Sequence, residues 1–134
     1  MEESHIDVFS PATGEPIGRV PISTPDDVRQ AFERARAAQI DWAKQSLDER
    51  CRIIRNVKDV IIERTDDICD LLSREQGKPH IEAMIHDVAN LVDLMHYFTK
   101  EAKRILHPEP IPLHLFKHRA SYLHWSPRGV IGII

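Results

Sequence analysis

Four stretches of this chain place apolar residues at steps of three and four, the period of a helix that buries one face. In the first, Val28, Ala31, Phe32, Ala35, Ala38 and Trp42 share a stripe. Thr24 is positioned to cap it, Pro25 fits the first helical position, and Asp26 and Asp27 suit the positive end of the dipole. The alanines in the stripe leave room for another helix to approach closely. The second helix begins at Ser46, and Glu49 three residues on predicts a reciprocal capping box. Its inner face is Ile53, Ile54, Val57, Val60 and Ile61. Thr65-Asp66-Asp67 reads as a new cap, so a third helix starts there with Ile68, Leu71 and Leu72 on its core side. Gly77 followed by Pro79 is a stop signal in the expected order. A fourth, unbroken helix is predicted from Pro79 to Leu106, carrying Ile81, Ile85, Val88, Leu91, Val92, Met95, Phe98, Ala102 and Ile105 at the helical period. Lys100, Lys103 and Arg104 fall in its last turns, where cations favour the dipole.

The flanks read differently. Residues 8–22 form two short strands around the turn Pro11-Ala12-Thr13-Gly14-Glu15, with Gly14 supplying a positive φ. Pro108, Pro110 and Pro112 forbid helix and impose an extended connector. Ser121–Trp125 follows, then a turn at Ser126-Pro127-Arg128, then the uncharged run Gly129-Val130-Ile131-Gly132-Ile133-Ile134. Such a run is expected as a strand covered on both faces. It predicts that the chain is the front piece of a larger α/β protein, with most of the chemistry beyond Ile134.

At 134 residues the chain has the size of one domain, and 42% apolar residues suit a globular core. A net charge of −3 and a pI near 6.2 argue against a nucleic-acid surface. No stretch approaches the ~18 apolar residues of a membrane-spanning helix, so no membrane partner is expected. Met1–His5 is acidic and contains no apolar run, which predicts no signal peptide. Cys51 and Cys69, 18 positions apart, match neither a disulfide framework nor a metal spacing. Reduced thiols in a cytoplasmic protein are the expectation.

Candidate chemistry is sparse. Of the eight histidines, only His114 and His118 have a helical pair spacing, and they follow a proline-rich connector, which favours a solvated loop over a metal site. His80, His86 and His96 do not share a helix face. Arg50 and Arg52 flank Cys51 and would lower its pKa, yet Cys51 and Cys69 both lie in amphipathic helices beside apolar positions, so core or boundary thiols are favoured over nucleophiles. Gly14, Gly18, Gly77, Gly129 and Gly132 form neither a P-loop nor a dinucleotide fingerprint. Glu75-Gln76-Gly77-Lys78-Pro79 reads as a helix stop with a lysine near the negative dipole end, in preference to a catalytic Glu–Lys pair.

Several segments taken in order resemble the amino-terminal part of the NAD(P)-dependent aldehyde dehydrogenase superfamily. They are Ser10-Pro11-Ala12-Thr13-Gly14-Glu15-Pro16-Ile17-Gly18, Thr24-Pro25-Asp26-Asp27-Val28, and Ala35-Arg36-Ala37-Ala38-Gln39 with Trp42. Glu49-Arg50, Glu75-Gln76-Gly77-Lys78-Pro79 with Glu82-Ala83, and Pro127-Arg128-Gly129-Val130-Ile131-Gly132-Ile133-Ile134 complete the set. The resemblance implies an α/β fold class: a mostly helical amino-terminal portion with a short hairpin at the front and strands of an incomplete sheet at the back. It implies that residues 1–134 belong to a cofactor-binding domain, that 117–131 includes bridging or oligomerisation strands, and that the catalytic domain is absent. The implied parent oxidises an aldehyde to a carboxylic acid with NAD or NADP through a cysteine thiolate, and is a homo-oligomer. The family's nucleophile, general base and ribose-binding lysine have no matching position here, so no residue is a catalytic candidate. Ile134 is the one cofactor-site candidate, as an apolar contact lining the cleft. Two further readings stand beside this one: a stand-alone helical interaction module, and a non-functional gene remnant. The fragment alone is expected to be inactive and to hold no cofactor tightly.

Overall fold

The computed structural model describes residues 5–133. Strands β1 (His5–Phe9) and β2 (Pro16–Pro21) form an antiparallel hairpin. Four helices follow: α1 (Pro25–Lys44), α2 (Leu47–Glu63), α3 (Thr65–Gln76) and α4 (80–105). Two three-residue strands, β3 (Glu109–Ile111) and β4 (Ser121–Leu123), pair antiparallel at the back. The expected mostly helical chain with strands at both ends is what forms. The front hairpin begins at His5, three residues earlier than the pattern predicts.

Local signals set most of the boundaries. Thr24 Oγ1 accepts from the Asp27 amide at 3.2 Å, and the Asp27 carboxylate accepts from the Thr24 amide at 2.8 Å, closing a reciprocal box at the start of α1. That backbone N–H, aided by the Thr24 hydroxyl, holds the Asp27 carboxyl below the usual carboxylate range. At α2 only half of the predicted box forms. Ser46 Oγ accepts from the Glu49 amide at 3.2 Å, but the Glu49 carboxylate turns to the Arg52 guanidinium, at 2.5 and 3.0 Å. A charged donor on the next turn outcompetes a neutral amide.

Thr65 also departs from its expected role. Its hydroxyl donates backwards to the carbonyls of Ile62 (2.8 Å) and Ile61 (3.3 Å), so it closes the end of α2 and does not cap α3. Arg64 alone joins these two helices, and no side chain caps α3. The stop at the other end of α3 is as predicted. Gly77 is left-handed at φ 71°, with its amide bonded to the Ser73 carbonyl at 2.9 Å.

The predicted unbroken fourth helix contains a change of pitch. An α-helical turn, His80–Glu82, passes into a π-helical stretch, Ala83–Ala89, and then into α-helix Asn90–Ile105. Ala83 is fully buried, and the positions three and four beyond it are His86 and Asp87. An ordinary α turn would carry one of those polar side chains towards the core. The wider π turn makes the step five residues and places Val88, 5% exposed, in the core. Cys69, Ala83 and Val88 are the centre of that core, with Ile61, Ile68, Leu72, Met84 and Val92 packed around it. The later half of α4 lies along α2, and Lys103 Nζ meets Asp48 at 2.8 Å across the two helices.

Much of the predicted apolar surface stays open. Along α2, Ile53 and Ile61 are half-buried, whereas Ile54, Val57 and Val60 are exposed; on α3, Leu71 is exposed too. Helix α1 buries none of its residues, and its stripe is uncovered. The expected covered strand does not form over its described residues: 129–133 take no strand pairing, Ile131 and Ile133 are 76% and 95% exposed, and Ile134 lies outside the described residues. Among the described residues no strand lies beside them to supply a ladder. Total accessible area is 11476 Å², against about 7,200 Å² for a compact monomer of this mass by the usual scaling. The shortfall in burial is therefore on the order of 4,000 Å².

The front hairpin is tied to the helices at Gly77. A Cβ there would stand 2.9 Å from Pro11 Cγ in the β1–β2 turn. Gly77→Ala is expected to cost about 1–2 kcal/mol, because left-handed backbone and a steric overlap both oppose the methyl. Urea unfolding of the two proteins measures it; equal midpoints would contradict the contact.

Candidate functional site

Two places on the chain bring chemically distinct side chains together. The first is the junction of α3 and α4. The left-handed Gly77 reverses the chain, and Lys78 then reaches across to pair with Asp87 in the π-helical stretch. Both side chains are partly buried, and each satisfies the other at the edge of the core. His80 Nε2 lies 3.4 Å from Asp70 Oδ1 on the α3 side. Lys78 therefore serves an ion pair nine residues away as well as standing near the α3 dipole end. The pair is not legible from the sequence, because nine positions is no helical spacing and Asp87 lies in the π-helical stretch.

Cys69 lies against this junction with no exposed surface. Burial pushes its thiol pKa up, the carboxylates of Asp66, Asp70 and Asp87 push it further, and Lys78 partly offsets them. A nucleophilic cysteine needs the opposite environment. Cys51 is also buried, and both cysteines are free thiols. Neither is positioned for attack, in agreement with the core role expected for them.

The second place is a groove between the last turns of α1 and the segment 127–131. Its volume is about 760 Å³, and Ala35, Ala38, Trp42, Arg50, Val130 and Ile131 contribute to its walls. Arg50, in the first turns of α2, lines this side, and its Nε is shielded and makes no hydrogen bond within the described residues. The groove holds apolar surface and a cation, and Asp41 is the one carboxylate among its lining residues. Such a lining suits contact with an apolar surface.

Of the residues singled out by sequence, Ile134 lies outside the described residues; Val130 and Ile131, shortly before it, line the groove. His114 and His118 are in the loop between β3 and β4. Among the described residues no group of three or more His, Cys, Asp or Glu is placed to hold a metal ion, and no helix is long and apolar enough to cross a membrane. Arg50 and the Lys78–Asp87 pair are the site features that sequence reasoning missed.

The sequence model of the aldehyde dehydrogenase family matches residues 1–134. A Mycobacterium ulcerans protein named as an NADP+ succinate-semialdehyde dehydrogenase is 34% identical over 122 residues, which are 91% of this chain and 23% of that protein. The crystal structure of succinate-semialdehyde dehydrogenase from Burkholderia pseudomallei superposes with a TM-score of 0.76 at 34% identity, over 83% of this chain and 23% of that one. The NADP-dependent glyceraldehyde-3-phosphate dehydrogenase of Bacillus halodurans, solved with NADP, gives 0.74 at 28% identity, over 81% and 22%. The chain thus spans about a quarter of the length of the curated relatives it matches.

The Cys69 environment generates a direct expectation. Its thiol should react with iodoacetamide far more slowly in the folded chain than in denaturant, and a comparable rate in both would refute its burial. Because its folded pKa is raised, its contribution to stability is complete below the ordinary thiol value. That contribution is lost as pH rises from there through the folded value.

Proposed function

This chain belongs to the aldehyde dehydrogenase family, and we propose that it forms the amino-terminal portion of an enzyme that oxidises an aldehyde to a carboxylic acid with NAD or NADP. The observation that carries the reading is the agreement of sequence and backbone over nearly all of the chain with dehydrogenases about four times its length. The named relatives favour NADP as the cofactor and a small dicarboxylic semialdehyde as the substrate class. In this reading residues 1–134 belong to the cofactor-domain side, and 117–131 enter a bridging or oligomerisation sheet. Two unbridged thiols suit a cytoplasmic setting.

The described residues do not themselves fit a dinucleotide. Holding a pyrophosphate calls for a glycine-rich turn from strand to helix. Here Gly14 sits in a hairpin turn, Gly18 in β2, Gly77 ends a helix, and Gly129 and Gly132 lie in the unpaired tail. The cofactor and the reacting groups belong, in this proposal, to residues beyond these. What this portion contributes is packing: the open α1 stripe, the groove beside Arg50 and the exposed face of α4 are the surfaces on which a larger domain is built.

A second reading, a stand-alone interaction module, is favoured by the same uncovered area. The two separate at the bench. Reading the coding DNA past the codon for Ile134 and expressing the product of the open frame should yield aldehyde-dependent NAD(P)H formation. The 134 residues alone should yield none above a host-enzyme control. Activity from the 134 residues alone, or a longer product inert towards every aldehyde with both cofactors, would defeat the dehydrogenase proposal. A stop codon at that point would favour the module.

A further inference from the structure

Arg50 is a cation left without an acceptor where water is partly shut out. It is half-buried in the first turns of α2, and its amide donates to the Ser46 carbonyl at 3.1 Å. Its Nε is shielded from solvent, and its side chain makes no hydrogen bond or ion pair among the described residues. The carboxylates on either side of it in sequence are all engaged elsewhere. Asp41 pairs with Lys44 at 2.8 Å, Asp48 with Lys103 at 2.8 Å, and Glu49 with Arg52 at 2.5 Å. A shielded, charged donor with no acceptor is costly, so Arg50 marks a position that an acceptor would stabilise.

The groove of about 760 Å³ beside α1 defines what kind of acceptor fits. Ala35, Ala38 and Trp42 line it from α1, and Val130 and Ile131 from the tail. The alanines leave the space open, and Trp42 offers an exposed ring to cover. Arg50 is the one cation among the lining residues. A cavity of this size falls in the range of small-molecule pockets. One guanidinium among apolar walls matches a monoanion with an apolar body. Phosphates and nucleic acids call for clustered amides or several cations, and this groove offers a single cation.

We propose that the groove is a binding site for a small amphipathic carboxylate, whose headgroup accepts from Arg50 Nε and whose apolar body lies between Trp42 and Val130–Ile131. A guanidinium holds a carboxylate through a planar pair of hydrogen bonds, so the headgroup satisfies the orphaned donor and balances its charge at once. Hydrocarbon laid over Trp42, Val130 and Ile131 removes apolar surface from water on both sides of the contact. Ligand pockets occur preferentially where domains meet, so the site is compatible with a larger domain built against α1. It uses only residues 35–50 and 127–131, and it stands whether or not the chain forms part of a dehydrogenase.

Titration of the 134-residue chain with sodium octanoate tests the site. Calorimetry gives the affinity. Trp125 does not line the groove, so W125F leaves Trp42 as the sole tryptophan, and its fluorescence reports occupancy. The expected result is saturable one-to-one binding, about tenfold or more tighter than that of 1-octanol or octylamine, the difference a hydrogen bond to a charged group makes. R50M should weaken octanoate binding about tenfold or more and leave 1-octanol binding unchanged. V130W, with Arg50 intact, should fill the groove and abolish both. Near-ultraviolet circular dichroism matching the wild type shows that each variant is folded. Absence of saturable octanoate binding overturns the proposal, as does equal affinity for octanoate and 1-octanol, or octanoate binding unmoved by R50M and by V130W. So does a dimer in sedimentation velocity that V130W breaks and octanoate does not, which would assign the groove to a second copy.

Discussion

The helical body depends on the contact between α3 and the π-helical turn of α4. Cys69, Ala83 and Val88 are the deepest apolar residues of that contact, and the half-buried side chains of α2, α3 and α4 surround it. The wide turn is what makes the contact apolar. With a five-residue step between Ala83 and Val88, His86 stays exposed and Asp87 points to the core's edge, where Lys78 meets it. A π turn is a poorer hydrogen-bonding arrangement than the α turn it replaces. It persists here because the alternative would bury an unpaired polar group, which costs more.

Beyond that contact and the packing of α2 along the later half of α4, most elements are held by local interactions. Helix α1 owes its ends to the Thr24–Asp27 box and a hydrogen bond from the Gln45 amide to the Trp42 carbonyl, and buries no side chain. The front hairpin is a closed ladder whose turn touches the helices at Gly77. Half of the ion pairs among the described residues are one-turn neighbours such as Asp26–Arg29, Asp41–Lys44 and Glu101–Arg104. Exposed pairs of this kind contribute little stability each. The architecture is therefore one small core with well-capped appendages, and its apolar stripes face outward.

This division explains what was legible in the sequence. Caps, stops and turn glycines act through neighbours a few residues away, so Thr24, Pro25, Ser46, Gly77 and Gly14 could be read directly. The errors come where a side chain had a choice of partner. Glu49 took Arg52 in place of its own helix's amide, and Thr65 closed the helix behind it. The π turn left one trace, polar residues at both normal helical steps from Ala83, but a stripe read at steps of three and four averages over such a slip. Lys78–Asp87 was invisible because it joins the α3–α4 junction to a residue nine positions on, a separation no helical pattern marks.

The apolar stripes were right about composition and silent about partners. A stripe such as Val28, Phe32, Ala35 and Trp42 states that a helix has a face to cover, and periodicity cannot say with what. The expectation of a covered strand at 129–134 failed for this reason: the run has the residues of a buried strand, yet a ladder requires a neighbour, and none lies beside residues 129–133 among those described. The side chains along this tail, α1 and the outer face of α4 are those of an interior placed on a surface. Arg50 marks the same incompleteness in polar terms, with a shielded N–H beside an open apolar groove. Where the local signals are met and the stripes stay open, periodicity has named the faces to be covered and not the surface that covers them.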